Sequence, residues 1–236
     1  MTSAGQHGRG EAVAALLLNV GAVTIRVNPP FRYRSGMLSP VYTDNRLLCS
    51  YPPERRLITG YFAELLREQG IAPDVLAGVS TAGIPHAAWL AERLDLPMVY
   101  VRGEAKDHGK GKRVEGSLAP RPAPGRAPSP PSGRPEVVVV EDLVTTGGGA
   151  LDAVAGVREE GGQVTHCLAI CTYGFPQAIA AFGAAHVTLL ALCRYDDLAA
   201  VALRQRLLST TELDAVLDWR ADPPGWAARH GLDAGE

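Results

Sequence analysis

One stretch decides the fold of this chain: residues 137–149, VVVVEDLVTTGGG. Four consecutive valines predict a strand that is buried on both faces, because β-branched side chains suit a parallel strand covered by helices. The strand delivers two acids at its carboxyl end, and a Thr/Gly turn then opens a helix predicted over 149–160. Backbone N–H groups at the start of such a helix point at an anion, and the helix dipole favours its charge. The stretch therefore predicts a phosphate site at the end of a central strand.

The adjacent acids Glu141 and Asp142 suit a ribose ring beside that phosphate. Carboxylates can hold two ribose hydroxyls directly or through Mg²⁺, which prefers oxygen ligands. No G-K-[ST] follows the glycines, so the turn is not a Walker loop. The competing interpretation is an acid pair at an ordinary helix start. The strand before the acids and the helix after them favour the functional interpretation.

Strands and helices also alternate on both sides of this stretch. Periodicity and breakers predict strands at 75–79, 97–102, 164–171 and 187–193, and helices at 11–20, 53–69, 86–94, 177–182 and 213–219. Residues 1–9 are expected to fray. Such alternation implies β-α-β units, and hence an α/β fold with a parallel sheet and helices on both faces. Ligands of such sheets bind beyond the carboxyl ends of the strands.

The composition excludes several classes of protein. The chain has 236 residues, of which 46% are hydrophobic and 20% charged, an ordinary globular balance. A net charge of -2 gives no general attraction to nucleic acid or to an anionic membrane. No apolar run approaches the ~20 residues of a membrane span, and no apolar signal core stands at the N-terminus. The four scattered cysteines are expected to be reduced core thiols, which indicates a cytoplasmic protein.

Residues 137–149 resemble the signature with which type I phosphoribosyltransferases bind phosphoribosyl pyrophosphate (PRPP). The resemblance implies that the two acids contact the ribose hydroxyls and that the loop after them holds the 5-phosphate. It also implies Mg²⁺ as cofactor, held mainly by PRPP, with Asp142 as a candidate ligand. The PRPP-binding residues that the resemblance implies here are Glu141, Asp142, Leu143, Val144, Thr145, Thr146, Gly147, Gly148 and Gly149.

A basic, glycine-rich loop follows the predicted strand at 97–102: residues 102–113 read RGEAKDHGKGKR. Its five cations and one histidine outweigh two acids, which suits a loop that closes over an anion and meets the charge of a departing pyrophosphate. Charge composition alone leaves a solvated loop as the alternative. The string resembles the catalytic loop of orotate phosphoribosyltransferases, although Gly103 stands where many relatives carry a second basic residue.

This second resemblance implies roles for three residues of the loop. Lys106 and His108 are the expected catalytic residues, which stabilise the leaving pyrophosphate. His108 also suits proton transfer, because its unperturbed pKa is near ~6.5. Arg102 is expected to bind PRPP together with them. In the family this loop reaches the active site of the neighbouring subunit, so a homodimer is implied.

Two further segments resemble binding loops of the same family. The turn GVSTAGIP (78–85) resembles the pyrophosphate loop and makes Ser80 and Thr81 candidates, with a plain strand-to-helix turn as the alternative. Residues 31–46, FRYRSGMLSPVYTDNR, resemble the substrate-side segment. The expected orotate-binding residues are Arg34, Tyr42, Thr43 and Arg46, with Thr145 from the phosphate loop.

The substrate side departs from the family at two places. Arg34 stands where a lysine is usual, which keeps the charge but changes the shape. The stretch TYGFP (172–176) stands where some relatives carry an arginine. Either Arg46 binds the orotate carboxylate, or the site differs in detail.

The chain divides into three predicted parts: an N-terminal helix with a hood segment on the orotate side (1–50), a core (51–205) and a helical tail (206–236). The core contains an insertion at 119–135 with seven prolines, three arginines and no acid, which cannot bury apolar area. The implied reaction joins orotate to PRPP and yields orotidine 5'-monophosphate and pyrophosphate, a step of pyrimidine (UMP) synthesis. Two alternatives stay open: a transferase for a purine or another pyrimidine, and a PRPP-sensing regulator of the same fold that binds nucleic acid.

Overall fold

The amino-terminal part of the chain combines one helix with two small antiparallel strand pairs. The computed structural model describes residues 3–33, 35–103, 112–118 and 133–232. The first elements are α1 (Ser3–Asn19), β1 (Val23–Ile25), β2 (Phe31–Arg32), β3 (Leu38–Ser39), β4 (Val41–Thr43) and a 3-10 helix (Asn45–Ser50). β1 pairs with β4 and β2 pairs with β3, both antiparallel. Residues 23–50 are called the hood below.

A mostly parallel sheet forms the centre of the molecule. Its strands are β5 (Val75–Val79), β6 (Met98–Val101), β7 (Val114–Glu115), β8 (Glu136–Val144), β9 (Gln163–Thr172) and β10 (Thr188–Arg194). Within the described ranges these six strands lie in the order β10-β9-β8-β5-β6-β7. Only the pairing of β7 with β6 is antiparallel among them. The carboxyl ends of the five parallel strands therefore meet at one edge of the sheet.

Helices cover both faces of this sheet, as the α/β pattern predicts. They are α2 (Pro52–Glu68), α3 (Gly83–Leu94), α4 (Gly148–Glu159), α5 (Pro176–Ala184), α6 (Tyr195–Arg204), α7 (Thr210–Ala221) and α8 (Pro223–Arg229). The valines of β8 alternate between two cores because successive side chains of a strand point to opposite faces. Val138 and Val140 join the core on the side of α1, α2, α3 and α6. Val137 and Val139 join the core on the side of α4 and α5.

The predicted elements of the core are confirmed with small shifts at their ends, and two predictions need correction. β8 continues to Val144, so the acid pair lies within the strand, because Glu141 and Leu143 remain paired with β9. α1 begins at Ser3 rather than after residue 10, and Arg9 binds both carboxylate oxygens of Glu68 at 2.7 and 2.9 Å. Most of the Pro/Arg insertion, residues 119–132, lies outside the described residues.

The two ends of the chain pack against each other around the hood. The indole of Trp219 in α7 is fully buried and donates a hydrogen bond of 2.9 Å to the carbonyl of Leu38 in β3. The ring of Tyr33 meets the same indole edge-on. Trp226 in α8 donates to the carbonyl of Ala215 at 2.7 Å and holds α8 on α7. The hood is therefore shaped by side chains from the last thirty residues as well as by its own strands.

The cysteines are free, and three of them match the expected core thiols. Cys167, Cys171 and Cys193 are buried, whereas Cys49 at the end of the hood is exposed, contrary to the expectation for all four. Cys49 belongs to a short 3-10 helix of which only one face, with Leu48, meets the core. Among the described residues, no helix combines the length and the apolar character that a membrane span requires.

Candidate active site

A cavity opens where the carboxyl ends of the parallel strands meet the hood. It has a volume of about 290 Å³ and lies between the hood, the turn after β5 and the end of β8. Its lining residues are Thr43, Asp44, Arg46, Thr81, Ala82, Asp142 and Leu143. Parallel α/β sheets bind ligands at this edge. The cavity is therefore the candidate active site.

The turn between β8 and α4 has the shape of an anion site. Gly147 caps α4 with a left-handed backbone (φ 86°), and a Cβ at this position would lie only 2.8 Å from Cε2 of Phe182. Only glycine satisfies both demands without strain. The first N–H groups of α4 have no partners within the helix and point towards the end of β8. Thr146 and Gly148 are exposed there, so the turn is open to a phosphate.

The acid pair lies next to this turn. Oε1 of Glu141 accepts a hydrogen bond of 2.9 Å from the backbone N–H of Asp142, and Oε2 lies 3.9 Å from the position of a Cβ on Gly149. Burial raises the pKa of the Glu141 carboxyl, and the neighbouring Asp142 carboxylate raises it further. A cation or a pair of hydroxyl donors beside the acids would favour the ionised form.

Two carboxylates form a limited donor set for a metal. Among the described residues, no group of three or more His, Cys, Asp or Glu side chains could hold an ion. Mg²⁺ is commonly bound by one or two carboxylates together with substrate phosphates and water, rather than by a protein cage. Glu141 and Asp142 therefore fit a magnesium ion that arrives with a phosphorylated ligand.

The turn after β5 is held against the end of β8. A Cβ on Gly83 would lie 2.3 Å from the carbonyl oxygen of Val140, so glycine lets α3 begin in contact with the neighbouring strand. The N–H and the hydroxyl of Ser80 both donate to the carbonyl of Val101, at 2.9 and 2.7 Å. Thr81 is exposed and lines the cavity. The hydroxyl of Thr81 is therefore open to a ligand, whereas the donors of Ser80 already bind β6.

Side chains from the hood bind the ends of β8 and β9. The amide of Asn45 donates a hydrogen bond of 3.0 Å to the carbonyl of Asp142, and Asn45 is completely buried. The hydroxyls of Thr43 and Tyr173 lie 3.0 Å apart and share a hydrogen bond. Burial raises the pKa of the Tyr173 hydroxyl well above its usual value, so this group stays neutral.

Arg46 is the one cation among the cavity-lining residues of the described chain. Its Nε binds Oδ1 of Asp44 at 2.6 Å, and its Nη2 binds Oδ2 at 2.9 Å. The same Asp44 carboxylate caps the 3-10 helix by accepting the backbone N–H of Arg46 at 3.2 Å. The guanidinium lowers the pKa of Asp44, so both groups are charged.

The base of the basic loop is held in place on both sides. The N–H of Arg102 donates to the carbonyl of Arg113 at 3.0 Å, and its Nη1 lies 3.7 Å from Oε1 of Glu115. Arg113 forms an ion pair with Asp152, and Lys112 forms one with Glu160, both on the side of α4. Residues 104–111, with the predicted catalytic Lys106 and His108, lie outside the described residues.

Five of the predicted site residues come together in the cavity: Thr43, Arg46, Thr81, Asp142 and Leu143. Tyr42 lies beside the ring of Phe31 with centroids 5.6 Å apart and is 43% exposed. Val144 is buried, so only its backbone is available to a ligand. Arg34 lies outside the described residues.

Sequence reasoning assigned no role to three residues of this site: Asp44, Asn45 and Ala82. Asp44 carries a local signal, because aspartate is a preferred residue at the start of a helix. No local pattern identifies Asn45, whose partner stands 97 positions further along the chain.

A larger cavity of about 420 Å³ lies beside β10, between α5 and α7. Its walls include Phe182, Leu189, Arg194 and Arg220, and none of the predicted site residues lines it. Its size alone does not make it the active site, since the predicted phosphate turn and acids do not face it.

Comparisons with known proteins find relatives over most of the chain. Residues 50–176 match the family model of the phosphoribosyl transferase domain. The chain is 43% identical to the orotate phosphoribosyltransferase of Coxiella burnetii over 91% of its own length and 96% of that protein. It is 44% identical to the orotate phosphoribosyltransferase of Bacillus caldolyticus over 92% of its length and 98% of that protein.

A solved structure extends the agreement to three dimensions. The crystal structure of orotate phosphoribosyltransferase from Aeropyrum pernix superposes with a TM-score of 0.65 and 28% identity, over 84% of this chain and 99% of that one. Sequence and fold therefore agree over nearly the whole length of the relatives. The chain belongs to the orotate phosphoribosyltransferase family, within the phosphoribosyltransferases.

Proposed function

We propose that this protein transfers the phosphoribosyl group of PRPP to orotate, producing orotidine 5'-monophosphate and pyrophosphate. One observation carries the proposal: a single cavity is lined by Asp142 at the end of β8, by Thr81 and by the cation of Arg46. These groups match the ribose, the pyrophosphate and the carboxylate that the two substrates bring. Family membership supports the same reaction.

The PRPP side of the proposed site uses the turn and the acid pair. Backbone N–H groups from Thr145 to Gly149 bind the 5-phosphate at the start of α4. Glu141 and Asp142 hold the two ribose hydroxyls. Mg²⁺, bound mainly by PRPP, neutralises part of the pyrophosphate charge when it is present. The raised pKa of Glu141 supports this arrangement, because a positive or hydrogen-donating partner would favour the ionised form of this half-buried carboxyl.

The orotate side of the proposed site uses the hood. Orotate supplies its own ring nitrogen as nucleophile, so the protein needs no covalent catalyst. The transition state at the anomeric carbon is expected to resemble an oxocarbenium ion, as in other glycosidic chemistry. Thr43, Arg46 and Thr145 position the base opposite the departing pyrophosphate, and such positioning lowers the entropic part of the barrier.

The basic loop, residues 102–113, stabilises the leaving pyrophosphate in this proposal. Lys106 and His108 meet the negative charge that develops on pyrophosphate, and closure of the loop excludes water. We further propose a homodimer in which the 102–113 loop acts on the neighbouring subunit, and a cytoplasmic location. The ion pairs of Lys112 with Glu160 and of Arg113 with Asp152, which hold the base of the loop on the side of α4, support this proposal.

The direct test mixes purified protein with orotate, PRPP and Mg²⁺ and measures the decrease in orotate absorbance with time. Adenine, hypoxanthine and uracil serve as parallel substrates. Turnover that depends on orotate and vanishes when EDTA removes Mg²⁺ is the expected result. Turnover with another base would replace the orotate assignment. Binding of PRPP without turnover of any base would favour a PRPP-sensing regulator.

A further inference from the structure

The pairing of Arg46 with Asp44 uses only one edge of the guanidinium group. An arginine carries five N–H donors in a planar fork. The carboxylate of Asp44 takes the edge formed by Nε and Nη2, at 2.6 and 2.9 Å. Both N–H groups of Nη1 and one of Nη2 remain, and they form the end of the fork. This end has the spacing that binds a second carboxylate through two parallel hydrogen bonds.

The surroundings leave that free end available to a ligand. The side chain of Arg46 is 66% exposed, whereas that of Asp44 is 25% exposed. Arg46 lines the cavity with Thr43 and Asp142, and the negative charge of the nearby Asp142 favours its charged form. The other described residues of the cavity wall are neutral or acidic. Among the described residues, an anionic group on a base therefore finds a single cation on this wall.

The neighbouring strand end offers no second cation. Tyr173 follows β9, is 1% exposed and binds Thr43 through its hydroxyl. Its ring packs against Tyr195 and Trp219. This side chain therefore fastens the hood to the sheet and carries no charge to the ligand.

We propose that Asp44 is a positioning residue that fixes Arg46 with the end of its guanidinium fork towards the carboxylate of the pyrimidine substrate. The inference rests on the proposed function and adds a residue that determines specificity for a 6-carboxylated base. Asp44 acts through Arg46 and does not touch the substrate. The Asp44 carboxylate accepts hydrogen bonds from Nε and from the backbone N–H of Arg46. These bonds restrict the rotation of the long arginine side chain before the ligand binds.

The first test is the variant Asp44→Asn, assayed with orotate and PRPP. Asparagine keeps an oxygen for the helix cap, but its NH₂ group cannot accept a hydrogen bond from Nη2. The KM for orotate is expected to rise about tenfold, the equivalent of one lost charge-assisted contact, while the KM for PRPP and kcat stay within about twofold. An unchanged KM for orotate would overturn the role. A rise in the KM for PRPP instead would indicate that Arg46 binds pyrophosphate, and it would also overturn the proposed role of Asp44.

The second test distinguishes an effect of Asp44 on the orientation of the guanidinium group from an effect on the folding of the protein. In Arg46→Ala, added guanidinium at millimolar concentration is expected to restore part of the activity at low orotate, because Asp44 still holds a cation in place. The double variant Asp44→Asn with Arg46→Ala is expected to show no rescue. Equal rescue in both variants would contradict the role of Asp44. Wild-type protein in the same assay is the control for the proposed function. If the wild-type protein does not turn over orotate, the proposed function itself is rejected.

Discussion

The buried amide of Asn45 donates a hydrogen bond of 3.0 Å to the main-chain carbonyl of Asp142. This contact joins the residue next to Arg46 to the strand that carries the acid pair. The contact therefore helps to fix the hood against the end of β8, together with the hydrogen bond between the hydroxyls of Thr43 and Tyr173.

Replacement of Asn45 by alanine should weaken both stability and binding. The variant leaves the Asp142 carbonyl without its donor and opens a small gap in a buried place. We expect a loss of about 1–3 kcal/mol in the free energy of unfolding, and several-fold higher KM values for both substrates. Urea unfolding and steady-state kinetics measure the two effects. The exposed pair of Gln205 and Asn19 gives the control, since Gln205→Ala should change neither.

Replacement of Gly147 by alanine should damage the phosphate turn. The new Cβ would meet Phe182 at 2.8 Å, and the backbone angle of 86° is strained for any residue with a side chain. We expect a loss of about 1–3 kcal/mol in the free energy of unfolding. We also expect the KM for PRPP to rise more than the KM for orotate, each compared with the parent protein. Gly148→Ala is the matched control for stability, because nothing lies within 4 Å of its Cβ position. Equal unfolding midpoints for the two variants would contradict this account.

Stability should fall as the pH is lowered past the ordinary pKa of histidine, because His86 is buried without partners. Neither ring nitrogen has a hydrogen-bond partner in the described structure, and burial lowers the pKa to about 4 from 6.5. Below pH 6.5 the His86 side chain is protonated in the unfolded chain, but in the folded chain it stays neutral down to about pH 4. The full stability is therefore present above pH 6.5 and falls as the pH is lowered from 6.5 to about 4. The shift corresponds to about 3 kcal/mol.

Unfolding of His86→Leu across the same pH range checks the source of this loss. The variant should show a flatter pH profile between 6.5 and 4 than the parent protein. His186→Asn is the control, because His186 is exposed and asparagine tolerates its left-handed backbone. A profile as steep in His86→Leu as in the parent would assign the loss to other groups.

Within the basic loop, Lys106 and Lys112 should behave differently. Lys106→Ala is expected to lose most of kcat, about a hundredfold or more, with the fold intact, because under the proposed function its charge stabilises the leaving pyrophosphate. Lys112→Ala should keep its activity within about twofold, since its ion pair with Glu160 lies on a partly exposed surface. Turnover and circular dichroism distinguish the outcomes. Unchanged turnover in Lys106→Ala would remove the loop from the mechanism.

Local signals were sufficient to predict the elements of the core. The strand at 75–79 has the predicted bounds, because five small or branched apolar residues stand between clear breakers. The helix predicted at 213–219 is confirmed as α7, which begins three residues earlier at Thr210 because Ser209 and Glu212 form a capping box. In both cases the structural cause lies within a few residues of the element itself.

Other features depend on partners that are distant in sequence. The strands of the hood contain two or three residues each and are held by Trp219, almost two hundred positions away. The acids of β8 remain in the strand because Glu141 and Leu143 pair with β9, although acids are unfavourable in strands. The family resemblance placed Thr43 and Arg46 on the substrate side, but it did not identify the roles of Asp44 and Asn45.

The bond from Trp219 to Leu38 has a consequence for biosynthesis. The ribosome makes the hood first and α7 near the end, so a nascent chain already contains the phosphate turn and the acid pair while its substrate-facing strands still lack their anchor. Catalytic competence is therefore acquired in one late event, when the last helices close on the first strands. A chain that stops before residue 219 should form the sheet and still fail to assemble a base site.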